Sequence, residues 1–209
     1  MYYNNISLRP LELKHINQDY LNWFKDKNVQ KFIIKSKINT INDLKRYFFE
    51  NYLNKNNLLF GIFVNKDNHI GNIKVRFSDN SKKDCSIGIL IGNKDFRNKG
   101  IGRKSLEILI HKIYKLYNTK IFKLGVSNKN LIAINSYRKA GFIIKKKDKS
   151  SLYLERDYAK LNFNKFSLGT AQMGMKYGIV NKQKKISHTE FKKIINILKK
   201  SGITSLDTS

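Results

Sequence analysis

The stretch Arg97-Asn98-Lys99-Gly100-Ile101-Gly102-Arg103 constrains this chain more than any other. It follows an apolar run, Cys85–Ile91, that reads as a strand, and it opens the best helical pattern in the sequence, Gly102–Tyr117. Within that pattern Leu106, Leu109, Ile110, Ile113 and Tyr117 recur at intervals of three and four, which defines one apolar face. A helix entered through glycines leaves the N–H groups of its first turn without intrahelical acceptors, at the positive end of the helix dipole. A phosphate is welcome at such a place. Gly100 and Gly102 let the backbone approach a pyrophosphate with no Cβ between them, and Arg97, Lys99 and Arg103 add charge. By spacing alone, a glycine-rich turn with solvated lysines reads equally well.

The elements around this loop follow from periodicity and punctuation. Ile6–Arg9 is a short strand ended by Pro10, and Asn17–Lys27 carries Tyr20, Leu21 and Phe24 at helical spacing. Thr40 with Asp43 three residues on predicts an N-cap leading into a helix through Leu53. Leu58–Val64 and His69–Phe77 read as two strands across a polar turn. In the second, Ile73, Val75 and Phe77 should face one way and Asn72, Lys74 and Arg76 the other. Lys120–Ser127 is a strand and Asn130–Lys139 a helix stopped by Gly141; Phe142–Lys146 and Leu152–Arg156 form a closing hairpin. Helices first, antiparallel strands next, then strand–loop–helix–strand describe an α+β fold over residues 1–160.

Composition excludes several classes. No apolar run is long enough to span a membrane, and no basic-then-apolar leader opens the chain, so a cytoplasmic location is expected. Cys85 is the single cysteine, and His15, His111 and His188 sit apart with no ligand spacing, so neither a disulfide nor a metal site is expected. The net charge of +27 invites a nucleic-acid reading. However, 35 of the 42 basic residues are lysines spread along the whole length, so nucleic acid is the weaker expectation. A positive surface still attracts anionic small molecules such as nucleotides and CoA.

Two motifs together resemble the GNAT superfamily of acetyltransferases. Arg97–Gly102 matches its R/Q-x-x-G-x-G/A signature, and Asn130, Ala133, Tyr137, Lys139, Gly141 and Phe142 match its N-x-x-A-x-x-x-Y-x-K-x-G-F segment, in the right order. The opening Leu8-Arg9-Pro10 resembles the ribosomal-protein and amino-sugar acetyltransferase branches. The resemblance implies a GNAT fold with a centrally splayed sheet. It also implies acetyl-CoA as cosubstrate: the pyrophosphate on Arg97, Asn98, Lys99, Gly100, Ile101, Gly102 and Arg103, the pantetheine arm along Ile89, Leu90 and Ile91, and Asn130 at the cofactor or as a plain N-cap. Tyr137 would protonate the departing thiolate, or merely pack its ring. Relatives often carry a carboxylate where this chain has Ser86. Asp84 or His69 could act through water, but each reads as an ordinary turn residue, and the base stays unassigned.

The implied acceptor is a small-molecule primary amine, foremost that of a nucleotide-linked amino sugar. A protein N-terminus is the alternative, and a non-enzymatic nucleic-acid-binding module the third reading. Acceptor specificity would lie in Asp19–Lys37, where Trp23, Phe24 and Phe32 line a pocket or pack. Oligomeric state is not legible. Residues 161–209 change character: Ser167-Leu168-Gly169-Thr170, the glycines 174 and 178, and a capping box at Ser187–Glu190 precede the strand Ile203–Asp207. They resemble the start of an aldo-keto reductase, an incomplete β-α-β piece of a (β/α)8 barrel in which Asp207 matches a catalytic aspartate. NAD(P)H would be used only by a longer fusion, and this chain should have no reductase activity.

Overall fold

The computed structural model describes residues 5–32 and 38–158, the segments Ser167–Gly169 and Ser205–Asp207, and the helical positions Thr189, Lys192, Lys193 and Asn196. The chain divides into two compact units, Met1–Tyr158 and Ala159–Ser209.

The first unit is built on seven strands: β1 Ile6–Pro10, β2 Asn57–Val64, β3 Asn68–Phe77, β4 Asp84–Ile91, β5 Ile121–Ser127, β6 Ile143–Lys147 and β7 Ser151–Asp157. They hydrogen-bond in the order β1-β2-β3-β4-β5-β7-β6, and all pairs are antiparallel except β4 with β5. A parallel pair needs a crossover, which α4, Ile101–Tyr117, supplies. On β3, Gly71 makes a close backbone approach: a Cβ there would lie 2.2 Å from the Leu90 carbonyl of β4.

Helices α1 Gln18–Lys25, α2 Lys27–Gln30, α3 Ile41–Tyr52 and α5 Leu131–Lys139 complete the unit. Local chemistry sets their starts. Asn17 Oδ1 accepts from the Tyr20 N–H at 3.0 Å, and Thr40 and Asp43 form the expected capping box. The single helix expected over Asn17–Lys27 breaks at Asp26, which leaves helical geometry (φ −66°, ψ 119°) and uses its carboxylate to cap α2 through the Asn28 N–H. Gly141 has φ +85°, as a left-handed stop requires.

Two apolar clusters lie on opposite faces of the sheet. Leu106, Leu109, Ile110 and Ile113 of α4 pack with Ile73, Val75, Phe122, Leu124 and Leu154, and Cys85 is buried among them. On the other face Tyr20, Leu21 and Trp23 of α1 and Leu44 and Phe48 of α3 cover Leu59 and Leu90. This second layer covers part of the face that β3 turns its polar residues to. Asn72 shares a face with Lys74 and Arg76, but it is 8% exposed, because the α1 layer closes over it.

In the second unit, β8 Ser167–Gly169 pairs in parallel with β9 Ser205–Asp207. The glycine-spaced loop, the Ser187–Glu190 capping box and the apolar positions Phe191, Ile194, Ile195 and Leu198 lie outside the described residues. No helix of the described residues is long and apolar enough to cross a membrane.

Candidate active site

The loop between β4 and α4 is shaped by two left-handed residues, Asn98 (φ 60°) and Gly100 (φ 75°). Gly100 is the N-cap of α4 and offers no side chain to it, whereas α1, α2, α3 and α5 are capped by Asn17, Asp26, Thr40 and Asn130. The first N–H of this segment to find a helical acceptor is that of Lys104, on the Gly100 carbonyl at 3.1 Å. The longest helix of the unit therefore keeps its orphan donors and its dipole for something outside the chain. A Cβ on Gly100 would meet nothing within 4 Å, and one on Gly102 would touch Ile91 Cγ1 only at 3.8 Å and Ser136 Oγ at 4.0 Å. Internal crowding thus explains neither glycine. Uncapped donors beside a surface kept free of side chains fit a diphosphate.

The basic side chains do not converge on that surface. Arg97 turns back under the loop: its Nε donates to the Ile91 carbonyl at 2.9 Å, its Nη2 to the Gly92 carbonyl, and its Nη1 to Asp26 Oδ2 at 2.7 Å. The guanidinium satisfies carbonyls at the end of β4, and it holds the Asp26 carboxyl below the usual carboxylate range, helped by the Asn28 N–H. Arg103 leans along its helix toward Glu107 at 3.6 Å, and Lys99 lies over the Phe96 ring. Arg97 is thus engaged within the chain, while the loop presents its backbone N–H groups and the exposed side chains of Lys99 and Arg103.

Upstream of the loop the sheet opens. β4 and β5 pair only at Asp84–Ile121, Cys85–Phe122 and Ser86–Lys123, although β5 runs on to Ser127. From Ile87 onward the β5-facing edge of β4 has no strand partner among the described residues, and Ile89, Leu90 and Ile91 lie on that edge. Ile89 and Ile91 pack toward the α4 core and Leu90 toward the α1–α3 cluster. The strand is held firmly on both faces while its edge remains available for hydrogen bonding.

Tyr137 sits on α5 in the same core cluster as Ile89 and Ile91, and its neighbour Ser136 lies near Gly102. Its ring is buried against Phe142, and burial pushes the phenol up to about 12. Asn130 is the N-cap of α5, accepting from the Ala133 N–H at 3.1 Å, which accounts for its presence without a ligand.

The base candidates fare differently from the expectation that both are plain turn residues. Asp84 is engaged by the Ser78 hydroxyl and by Lys123 Nζ at 2.9 Å, and both keep it ionised. His69 is not a surface residue; it lies among Phe63, Trp23, Tyr20 and His15 and bonds Asn72 Oδ1 at 2.9 Å. Burial lowers its pKa and keeps the imidazole neutral. It borders an open cleft of about 360 Å³ with Trp23, Asp26, Gly92 and Asn93, next to the loop. Of the three aromatic residues expected at the acceptor side, Trp23 is buried and lines this cleft, Phe24 is partly buried, and Phe32 is exposed. Sequence reading missed Asp26 and the Trp23–Gly92 contact, because each joins segments far apart in the chain. No group of His, Cys, Asp and Glu among the described residues could hold a metal.

The comparisons agree with this geometry. The acetyltransferase (GNAT) domain model matches residues 5–143. Spermidine N-acetyltransferase from Vibrio cholerae, solved with CoA and spermine, superposes with a TM-score of 0.66 at 15% identity, covering 74% of this chain and 96% of its own. Aminoglycoside acetyltransferase AAC(6')-Ib with coenzyme A gives 0.64 at 16%, covering 73% and 95%. Campylobacter jejuni N-acetyltransferase PseH gives 0.56 at 18%, covering 73% and 97%. No curated protein sequence matches the chain. With the family model spanning both motifs and the strands β4 and β5 that part between them, the chain belongs to the GNAT acetyltransferase family and is an acetyl-CoA-dependent N-acetyltransferase.

Proposed function

We propose that this chain acetylates the primary amine of a small molecule, foremost an amino sugar carried on a nucleotide, by direct attack on acetyl-CoA. The observation that carries the reading is the parting of β4 from β5 after Ser86, next to an uncapped helix N-terminus. The orphan N–H groups of Gly100, Ile101, Gly102 and Arg103 would bind the pyrophosphate, with Asn98 and Lys99 shaping the turn. The free edge of Ile89, Leu90 and Ile91 would hold the pantetheine arm as an added strand. Arg97 positions the loop from beneath, and Asn130 positions α5 through its cap.

In the transfer the amine nitrogen bonds to the acetyl carbon, the carbon–sulfur bond breaks, and the amine's surplus proton leaves to water. Tyr137 faces the departing sulfur in this reading. A phenol pushed up to about 12 keeps its proton against a thiolate, whose ordinary pKa is about 8.5. Tyr137 therefore acts first as a hydrogen-bond donor that stabilises the thiolate. For the second unit, the parallel pairing of β8 with β9 supports the start of a β-α-β barrel resembling a reductase.

The test is thiol release by the purified chain with acetyl-CoA and a panel of acceptors: nucleotide-linked amino sugars, polyamines, aminoglycosides and peptides. Transfer confined to peptides would replace the small-molecule reading with protein N-terminal acetylation.

A further inference from the structure

The sheet face that carries α1 and α3 also bears, beside them, a row of side chains fixed by strand register. Arg76 of β3 pairs with Ser86 of β4, which pairs with Lys123 of β5, which pairs with Glu155 of β7. One step along, Lys74 pairs with Gly88. This row runs beside the point where β4 and β5 part. Ser86 and Gly88 are exposed, and a Cβ on Gly88 would meet nothing within 4 Å, so there is room directly beside Lys74.

The charges on this face are unequally satisfied. Lys123 holds Asp84 at 2.9 Å, and Lys145 lies 3.7 Å from Glu155, so the row's own carboxylate and the one beside it are already matched. Lys74 and Arg76 stand two residues apart on the same face, and neither has a carboxylate within ion-pair distance among the described residues. Lys74 is half-buried over the Tyr47 ring, at 5.5 Å. Desolvation first, and the Arg76 charge second, press its pKa below the usual lysine range, while Glu50 opposes them. A half-buried ammonium beside a second cation is unfavourable until an anion joins it. A polycation would be repelled here.

From this placement we infer that Lys74, with Arg76 at the rim, is the subsite that recognises a phosphate or diphosphate group on the acceptor. The inference rests on the acetyltransfer reading and deepens it. It sets the acceptor apart from the polyamines and aminoglycosides named with two of the structural neighbours.

The test uses the full chain saturated with CoA, so that the pyrophosphate loop is already filled. Calorimetry with UDP and with inorganic pyrophosphate should show binding that weakens roughly tenfold to a hundredfold in Lys74→Gln, the range for losing one charged hydrogen bond, and less in Arg76→Gln. Lys74→Arg should restore most of it. In kinetics, Lys74→Gln should raise KM for a UDP-linked amino sugar and leave KM for acetyl-CoA unchanged. Glucosamine 6-phosphate against the nucleotide-linked sugar tells a monophosphate acceptor from a diphosphate one. Equal UDP affinity in wild type and Lys74→Gln, or a preference for spermidine over every phosphorylated amine, would overturn the subsite while leaving acetyl transfer intact. Lys74-dependent UDP binding without transfer to any amine would keep the subsite and remove the transferase reading.

Discussion

The Arg97 guanidinium lies 2.7 Å from the Asp26 carboxylate, joining the end of β4 to the break between α1 and α2 across 71 residues of sequence. The same guanidinium holds the carbonyls of Ile91 and Gly92, so one side chain fixes both the floor of the β4–α4 loop and the helix that lines the neighbouring cleft. Its planar fork is what allows three contacts at once.

Arg97→Lys should therefore fail to substitute for arginine. We expect lower acetyl-CoA affinity and a coupling between positions 97 and 26 of roughly 0.5–2 kcal/mol in a double-mutant cycle read by urea unfolding. The Asp26 carboxyl is held below its ordinary range, chiefly by the Arg97 hydrogen bond. Its stabilisation is complete above the unfolded-state carboxylate pKa and is lost as pH falls through the lowered one. Asp26→Asn should flatten that acid limb; an unchanged limb would show that another carboxylate controls it.

Gly100 and Gly102 separate conformational from ligand-related requirements. Gly100→Asn can keep the left-handed φ, so it should fold normally, whereas Gly100→Asp puts a negative charge at the proposed diphosphate site. Gly102→Ala meets only ordinary contacts inside the chain and should leave the thermal midpoint unchanged. Gly102→Asp and Gly100→Asp should each abolish acetyl-CoA binding in calorimetry; unchanged affinity for CoA would remove the loop from the pyrophosphate site.

Tyr137→Phe should keep CoA affinity and lower turnover roughly a hundred- to a thousand-fold, the range for losing one hydrogen-bond donor to a developing anion. With its phenol pushed up to about 12, Tyr137 should produce no alkaline limb near neutral pH. An equal rate in the Phe variant, with chemistry shown to limit turnover, would reassign the ring to packing.

Gly92 supports the Trp23 indole directly, since a Cβ there would lie 1.9 Å from Trp23 Cδ2. Gly92→Ala should destabilise the chain by about 1–3 kcal/mol, as overpacking does. The added Trp23→Leu exchange should recover part of the loss in chemical unfolding; strictly additive effects would show that the two residues do not press on each other.

Removing residues 161–209 should leave acetyl-CoA binding and cooperative unfolding intact, because residues up to Tyr158 carry both apolar clusters. The intact chain should show no NAD(P)H oxidation with carbonyl substrates. Unfolding of the truncated chain would move the second unit into the acetyltransferase core.

Much of the scaffold was legible in the residues because its causes are local. Capping at Thr40 and Asp43, the apolar spacing of α4 and the left-handed stop at Gly141 act within a few residues of backbone, so the string of letters contains them. The loop's two glycines were legible for the same reason. The direction of Arg97 was not: its partner lies in a different helix, and only the fold brings Asp26 beside it. The burial of Asn72 and the half-burial of His69 were equally hidden, because alternation along β3 assigns a face but cannot say that α1 covers it at one end and leaves Lys74 half-buried and Arg76 exposed at the other. Where β4 parts from β5 depends on register between strands joined by a 17-residue helix. Sequence by itself determined which segments could form helices, strands and an anion-binding turn. Tertiary structure decided which charges those segments satisfy among themselves and which they leave for a ligand, because pairing between distant segments is set by topology and not by local pattern.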